Sequence, residues 1–148
     1  MTNTIKTLFA SFGIATLLIA LEYFLKSSFL SIFLKDNLVG LLLTLLAINT
    51  ATSTVISSKL EDISERTGAN FEDVIKEVRG SLIEQIVLIG LSVVLLIVLH
   101  SKLLDLGTYY IDIIINIFLT TILVYAIDIL RDTGVAIFNI VIELNRKS

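Results

Sequence analysis

The sequence predicts an all-α, polytopic membrane protein with four transmembrane helices, and three observations lead there. Of its 148 residues, 55% are hydrophobic and 17% charged, with a mean hydropathy of +0.94. Soluble domains run at about 45–50% apolar and about 25% charged, and a soluble surface needs the charges that are missing. Four apolar stretches approach the roughly 20 residues that carry a helix across a hydrocarbon core about 30 Å thick. Finally, the chain contains no proline, which favours straight continuous helices over the broken helices common in secondary transporters.

The expected spans cover about 8–25, 38–56, 86–104 and 109–127 of a single membrane domain, 1–148. The first follows Lys6 much as a signal peptide follows its basic start. Glu22, Tyr23 and Phe24 stand where small residues should precede a cleavage site, so an uncleaved span is expected. Residues 27–37, SSFLSIFLKDN, are apolar but too short to cross. They are either a half-helix in the outer interface or an extension of the second span. Residues 105–108 read as a tight turn that makes the third and fourth spans an antiparallel hairpin.

Between the second and third spans lies a soluble segment, 59–85. Ser58 to Thr67 can continue the second span as helix, with Gly68 as a left-handed stop. Asn70 then reads as an N-cap, and Glu72 and Asp73 place carboxylates at the positive end of a new helix. That helix is expected to pass through Ile75, Val78 and Ile83 into the third span, giving a helical hairpin stalk. Seven acids between 60 and 85 (Glu61, Asp62, Glu65, Glu72, Asp73, Glu77, Glu84) face three bases (Arg66, Lys76, Arg79). One reading is a solvated hairpin with Asp62–Arg66 and Glu72–Lys76 ion pairs. The other is a docking surface, carried by Glu61, Asp62, Glu65, Glu72, Asp73 and Glu77, for a basic cytoplasmic partner or another subunit.

The last apolar run, Tyr109 to Leu144, would span about 54 Å as a helix at 1.5 Å per residue, nearly twice the hydrocarbon thickness. Arg131 to Gly134 interrupts its apolar character near the expected inner boundary. In the cytoplasmic extension, 131–148, the segment 135–144 is too apolar for a free tail and must lie on the membrane surface, on the stalk or on another copy. It lacks the cationic face of an interfacial anchor, so stalk or oligomer packing is expected. Orientation follows from the basic residues. Lys6, Lys59, Arg66, Lys76, Arg79, Arg131, Arg146 and Lys147 share one side, against Lys26, Lys35 and Lys102 on the other. The positive-inside rule puts both termini in the cytoplasm of a multi-pass protein in the inner (plasma) membrane.

Polar side chains at bilayer depth normally face protein or water. Asn49, Ser53 and Ser57 share one face of the second span, and Thr50, Thr54 and Ser58 the adjacent one. They either allow close helix packing or line a water-filled vestibule. In the fourth span, Asp112, Asn116 and Thr120 recur every four residues. Thr121, Tyr125, Asp128, Asp132, Asn139 and Glu143 follow a period near 3.5, the seam of a helix that pairs with neighbours. The seam is either a packing surface, with Asp128 neutralised by Arg131, or the lining of a pore around a symmetry axis that favours cations. Glu22 either pairs with Lys26 at the interface or acts as a coupling carboxylate. His100 is expected to lie in water at the outer end of the third span.

Several classes are excluded. With no Cys and one His, a disulfide framework, thiol chemistry and a structural zinc site are not expected. A net charge of −3 offers no footprint for nucleic acid. No phosphate-binding loop, nucleophile elbow or metal cluster is present, so neither an enzyme nor a cofactor is expected.

Four spans, cytoplasmic termini and a carboxylate in the first span resemble the small multidrug-resistance exporters. The chain departs from them in its 59–85 segment, its tail after Arg131, its lack of Trp and Pro, and the outer position of Glu22. Over its whole length the span pattern, with a charged cytoplasmic hairpin before the third span, is similar to the small four-span effectors of bacterial phage defence and phage exclusion. Holins are a neighbouring resemblance. The defence effectors typically depolarise or permeabilise the inner membrane once triggered, and the resemblance implies that kind of activity without assigning any residue. The expectation is a homo-oligomer in the lipid bilayer forming a gated ion-permeable pore or membrane-disrupting effector. A non-conducting scaffold for a soluble partner and a small proton-coupled exporter are the alternatives.

Overall fold

The computed structural model describes the backbone of residues 2–68, 70–101 and 108–147, and the side chains of 4–65, 68, 70–101 and 110–136. These residues form four helices: α1 (Thr2–Phe24), α2 (Phe29–Thr67), α3 (Glu72–Leu99) and α4 (Thr108–Lys147). Each contains a stretch long and apolar enough to cross a membrane. The all-α class with four candidate spans is therefore the fold observed. The physical cause is local, because a helix satisfies its backbone N–H and C=O groups within one segment, as hydrocarbon surroundings require.

α4 is the central helix. It packs against α1, α2 and α3, and 50% of its apolar window is buried inside the protein, against 17–22% for the other three. α1 packs chiefly on α4, and it buries Ser11, Ala15, Ile19 and Glu22, a single stripe at helical spacing. The small Ser11 and Ala15 permit close approach, and Phe12 meets Phe118 with ring centroids 6.2 Å apart. α3 buries Val78, Gln85 and Ser92, one residue per seven, as in a helix held along a seam. Leu34, Leu38 and Leu42 of α2 interlock with Ile115, Leu119, Ile122 and Ala126 of α4 in the apolar core. Large apolar side chains such as Phe9, Leu17 and Ile97 point outward, where lipid accepts them at no cost.

The segment 27–37 resolves as the second of its two expected forms, since α2 starts at Phe29 and continues unbroken to Thr67. At 39 residues α2 is about 58 Å long, and its polar end, with the start of α3, forms the helical hairpin expected as the stalk. Gly68 ends it at φ 69°, its N–H donating to the Ser64 carbonyl at 2.8 Å, as the left-handed stop requires. Asn70 caps α3 from one position farther out than expected. Phe71 is the boundary residue, and Asn70 Oδ1 accepts the Glu72 N–H at 2.9 Å. Glu72 and Asp73 occupy the first turn.

α4 is one helix of 40 residues, about 60 Å, and it passes through Arg131–Gly134 without a break. As far as Ala136 it runs beside the start of α3, sharing a cavity wall with Val74 and Val78. The side chains of 137–147, Asn139 and Glu143 among them, lie outside the described residues. α3 ends at Leu99, with His100 as its C-cap, short of the expected end at 104. Most of the expected turn at 105–108 also lies outside the described residues, and Thr108 already belongs to α4.

Two expected ion pairs need correction. Glu72 and Lys76 form no salt bridge, and the described bridges both belong to Arg131. For Asp62–Arg66, the Arg66 side chain lies outside the described residues. The expected Glu22–Lys26 pair is replaced by another arrangement. α1 stops at Phe24, so the four-residue spacing no longer places Lys26 above Glu22, and Lys26 instead takes a left-handed φ of 50°.

Candidate functional site

The polar residues of three helices converge in the half of the bundle nearest the stalk. Asn49 on α2 and Gln85 on α3 are almost fully enclosed. Asn49 Nδ2 donates to Gln85 Oε1 at 3.1 Å, a buried amide pair joining residues 36 positions apart. Ser53, one turn along α2, is also buried, while Ser57 is half-buried at the margin. Thr50, Thr54 and Ser58, the adjacent face, are exposed. The Thr50 and Thr54 hydroxyls donate to the carbonyls of Leu46 and Thr50, which satisfies them within their own helix.

One step toward the stalk, Tyr125 of α4 donates its hydroxyl to Glu84 Oε2 on α3 at 3.1 Å. This bond forms part of the wall of a cleft of ≈ 410 Å³ between the stalk-side ends of α1, α3 and α4. Glu77, Glu84, Asp128 and Asp132 contribute four carboxylates to its lining, Ser81 and Thr133 add hydroxyls, and among the described residues no basic side chain lines it. Arg131 stands outside that lining and binds Asp128 at 2.7 Å and Asp132 at 2.9 Å. Its side chain is well exposed, at 65%, whereas the Asp128 side chain is only 15% exposed. Asp128 therefore keeps a cation within reach from one side and faces the cleft from the other.

Of the residues singled out on α4, Asn116, Thr120, Thr121 and Tyr125 are buried against the helices of their own chain. Asp112 and Asp128 are half-buried and Asp132 exposed. Thr120 and Thr121 donate to the Asn116 and Ile117 carbonyls. The stalk acids Glu61, Asp62, Glu65, Glu72, Asp73 and Glu77 are all exposed. Only Glu77 of these meets the cleft. At the opposite end, Glu22 is buried and accepts the Ser31 N–H at 3.1 Å and the Ser31 hydroxyl at 2.8 Å. His100 is exposed, with Nδ1 2.9 Å from the Leu96 carbonyl oxygen.

Ser81, Glu84, Gln85 and Thr133 belong to this arrangement and were not singled out from the sequence as site residues. One signal was available, because Gln85 is seven residues from both Val78 and Ser92, and so belongs to the buried seam of α3. No group of His and acidic residues able to hold a metal ion occurs among the described residues.

A helical bundle with four membrane-crossing helices, apolar outside and polar within at one end, is the architecture of a multi-pass membrane protein. Comparison of the chain with protein families, with curated proteins and with solved structures gives no match.

Proposed function

We propose that the chain is the subunit of a gated, cation-permeable homo-oligomer in the inner (plasma) membrane, with the acidic cleft as its cytoplasmic mouth. The observation that carries this reading is the cleft itself, whose four carboxylates come from two helices, with no basic side chain in the lining among the described residues. Charge of one sign in a low-dielectric cleft raises the local concentration of the opposite ion, and carboxylate-lined passages favour cations. Toward the other end, the layer of Leu34, Leu38, Leu42 and Leu119 is fully enclosed and apolar, which supports a hydrophobic constriction as the closed gate. The stalk, continuous with α2 and α3, connects a cytoplasmic signal mechanically to both. Opening would depolarise the membrane, in the manner of the phage-defence effectors that the span pattern resembles.

Planar-bilayer or liposome flux tests this, with wild type beside Glu84→Gln, Asp128→Ala and Asn116→Leu. Loss of cation preference in the two carboxylate variants is expected. Conductance and selectivity unchanged in all three would remove these residues from any permeation route. Mass measurement in nanodiscs supplies the subunit number. A ring of four or more fits the pore, a dimer fits an exporter, and a monomer fits neither.

A second reading rests on a separate observation, the exposure of Glu61, Asp62, Glu65, Glu72 and Asp73 on the stalk. These acids suit a scaffold that recruits a basic soluble partner. Neutralising the five together would then release the partner, and flux would appear in neither form.

A further inference from the structure

Four buried side-chain atoms find no hydrogen-bond partner among the described residues: Asn49 Oδ1, Ser53 Oγ, Gln85 Nε2 and Asn116 Oδ1. Leaving such an atom dry costs about 1–3 kcal/mol, and surroundings of hydrocarbon offer no relief. Three of the four belong to one place. Asn49 and Gln85 are bonded to each other, and Ser53 follows Asn49 by one turn on the same face of α2. Asn116 is separate, since it lies nine residues, or about 13 Å, along α4 from Tyr125.

The chemistry of the three unpartnered atoms identifies what they accept. The amide pair presents one unused acceptor, Asn49 Oδ1, and one unused donor, Gln85 Nε2. Turning both amides over exchanges these roles and again leaves one donor and one acceptor. Ser53 adds a hydroxyl that does either. A bare cation suits acceptors only and is repelled by the amide donor. Water satisfies all three. The cleft lies one turn away, because Ser81 precedes Gln85 by four residues and Glu84 is its neighbour, and both line the cleft.

We infer that Asn49, Ser53 and Gln85 form an internal water site, joined past Ser81 and Glu84 to the cleft and ended by the apolar layer at Leu42. Water thus reaches about the middle of the bundle inside each chain, and the closed barrier is confined to the remaining half. This rests on the reading of the cleft as a water-filled mouth.

The chain contains no cysteine, so single-cysteine variants of the full chain in liposomes report directly. The probe is a small hydrophilic methanethiosulfonate, which reacts with thiolate and so with hydrated positions. A thiol in apolar surroundings stays protonated. The positions are Ser81→Cys in the cleft, Ser53→Cys and Asn49→Cys in the site, and Leu42→Cys in the apolar layer. Ser53→Cys, or Asn49→Cys should the first fail to insert, is expected to react at least about tenfold faster than Leu42→Cys. Reaction at Ser81→Cys with both site variants as slow as Leu42→Cys overturns the water site and leaves the cleft intact. Ser81→Cys as slow as Leu42→Cys overturns the hydrated mouth as well. Leu42→Cys as fast as Ser53→Cys overturns the boundary.

Discussion

The carboxylate of Glu22, near the end of α1, caps the start of α2 by accepting both the N–H and the hydroxyl of Ser31, at 3.1 and 2.8 Å. Ser28, the boundary residue of α2, makes no side-chain cap of its own. Ser31 sits three residues into the helix, where an N–H has no intrahelical acceptor. A buried acid at the positive end of a helix satisfies that donor and complements the helix dipole. Glu22 thus ties the end of α1 to the start of α2.

Replacing Glu22 by Ala is expected to destabilise the protein by about 1–2 kcal/mol, the usual cost of a lost cap. Glu22→Gln keeps an acceptor oxygen and should cost less. Unfolding in detergent micelles measures both. Normal stability in Glu22→Gln together with abolished transport would make Glu22 a coupling carboxylate and favour the exporter alternative.

The same corner contains Lys26 in a left-handed conformation, φ 50°. Its N–H donates to the Tyr23 carbonyl and the Ser27 N–H to that of Glu22, the paired bonds with which many helices end. Glycine adopts this conformation without a Cβ penalty. Lys26→Gly is expected to stabilise the chain by up to about 1 kcal/mol, and Lys26→Val to destabilise it. A lower melting temperature for Lys26→Gly than for wild type would count against the conformation described.

The amide pair yields a double-mutant cycle. Asn49→Leu alone leaves Gln85 enclosed without its donor, and Gln85→Leu does the reverse. Each should cost about 1–3 kcal/mol. The double variant replaces both groups by apolar ones and should cost less than the sum of the two. Chemical unfolding of the four proteins gives the coupling energy, and strict additivity would mean that the two amides do not interact.

At the cleft, Tyr125→Phe removes the hydroxyl that positions Glu84 while keeping the ring. In flux measurements it should alter cation preference less than Glu84→Gln, which removes the charge itself. Both effects should shrink in concentrated salt, where the Debye length falls to about 3 Å at 1 M. A salt-independent loss in Glu84→Gln would point to a structural role for this carboxylate.

Much of the fold was legible in the residues. The number of spans, the stop at Gly68, the acidic first turn of α3 and the Asp128–Arg131 pair all depend on neighbours within one turn or one helix. The Glu22–Lys26 pair failed for a local reason as well, because the helix ends between the two residues. The polar seam of α4 was visible as a periodicity, yet the sequence left open whether it faces the chain's own helices or other copies. In the folded chain Asn116, Thr120, Thr121 and Tyr125 lie against the chain's own helices.

By itself, then, the sequence determined an all-helical chain with four membrane-crossing segments and an acidic stalk, because hydrocarbon forces the backbone to bond within each segment and the apolar lengths are countable. The tertiary structure alone decided which polar groups meet: Asn49 with Gln85, Tyr125 with Glu84, Glu22 with Ser31. The reason is physical. In a soluble helix the apolar stripe marks the inward face, whereas here lipid and core are equally apolar, and the rotation of each helix about its axis is set only when it packs against its neighbours.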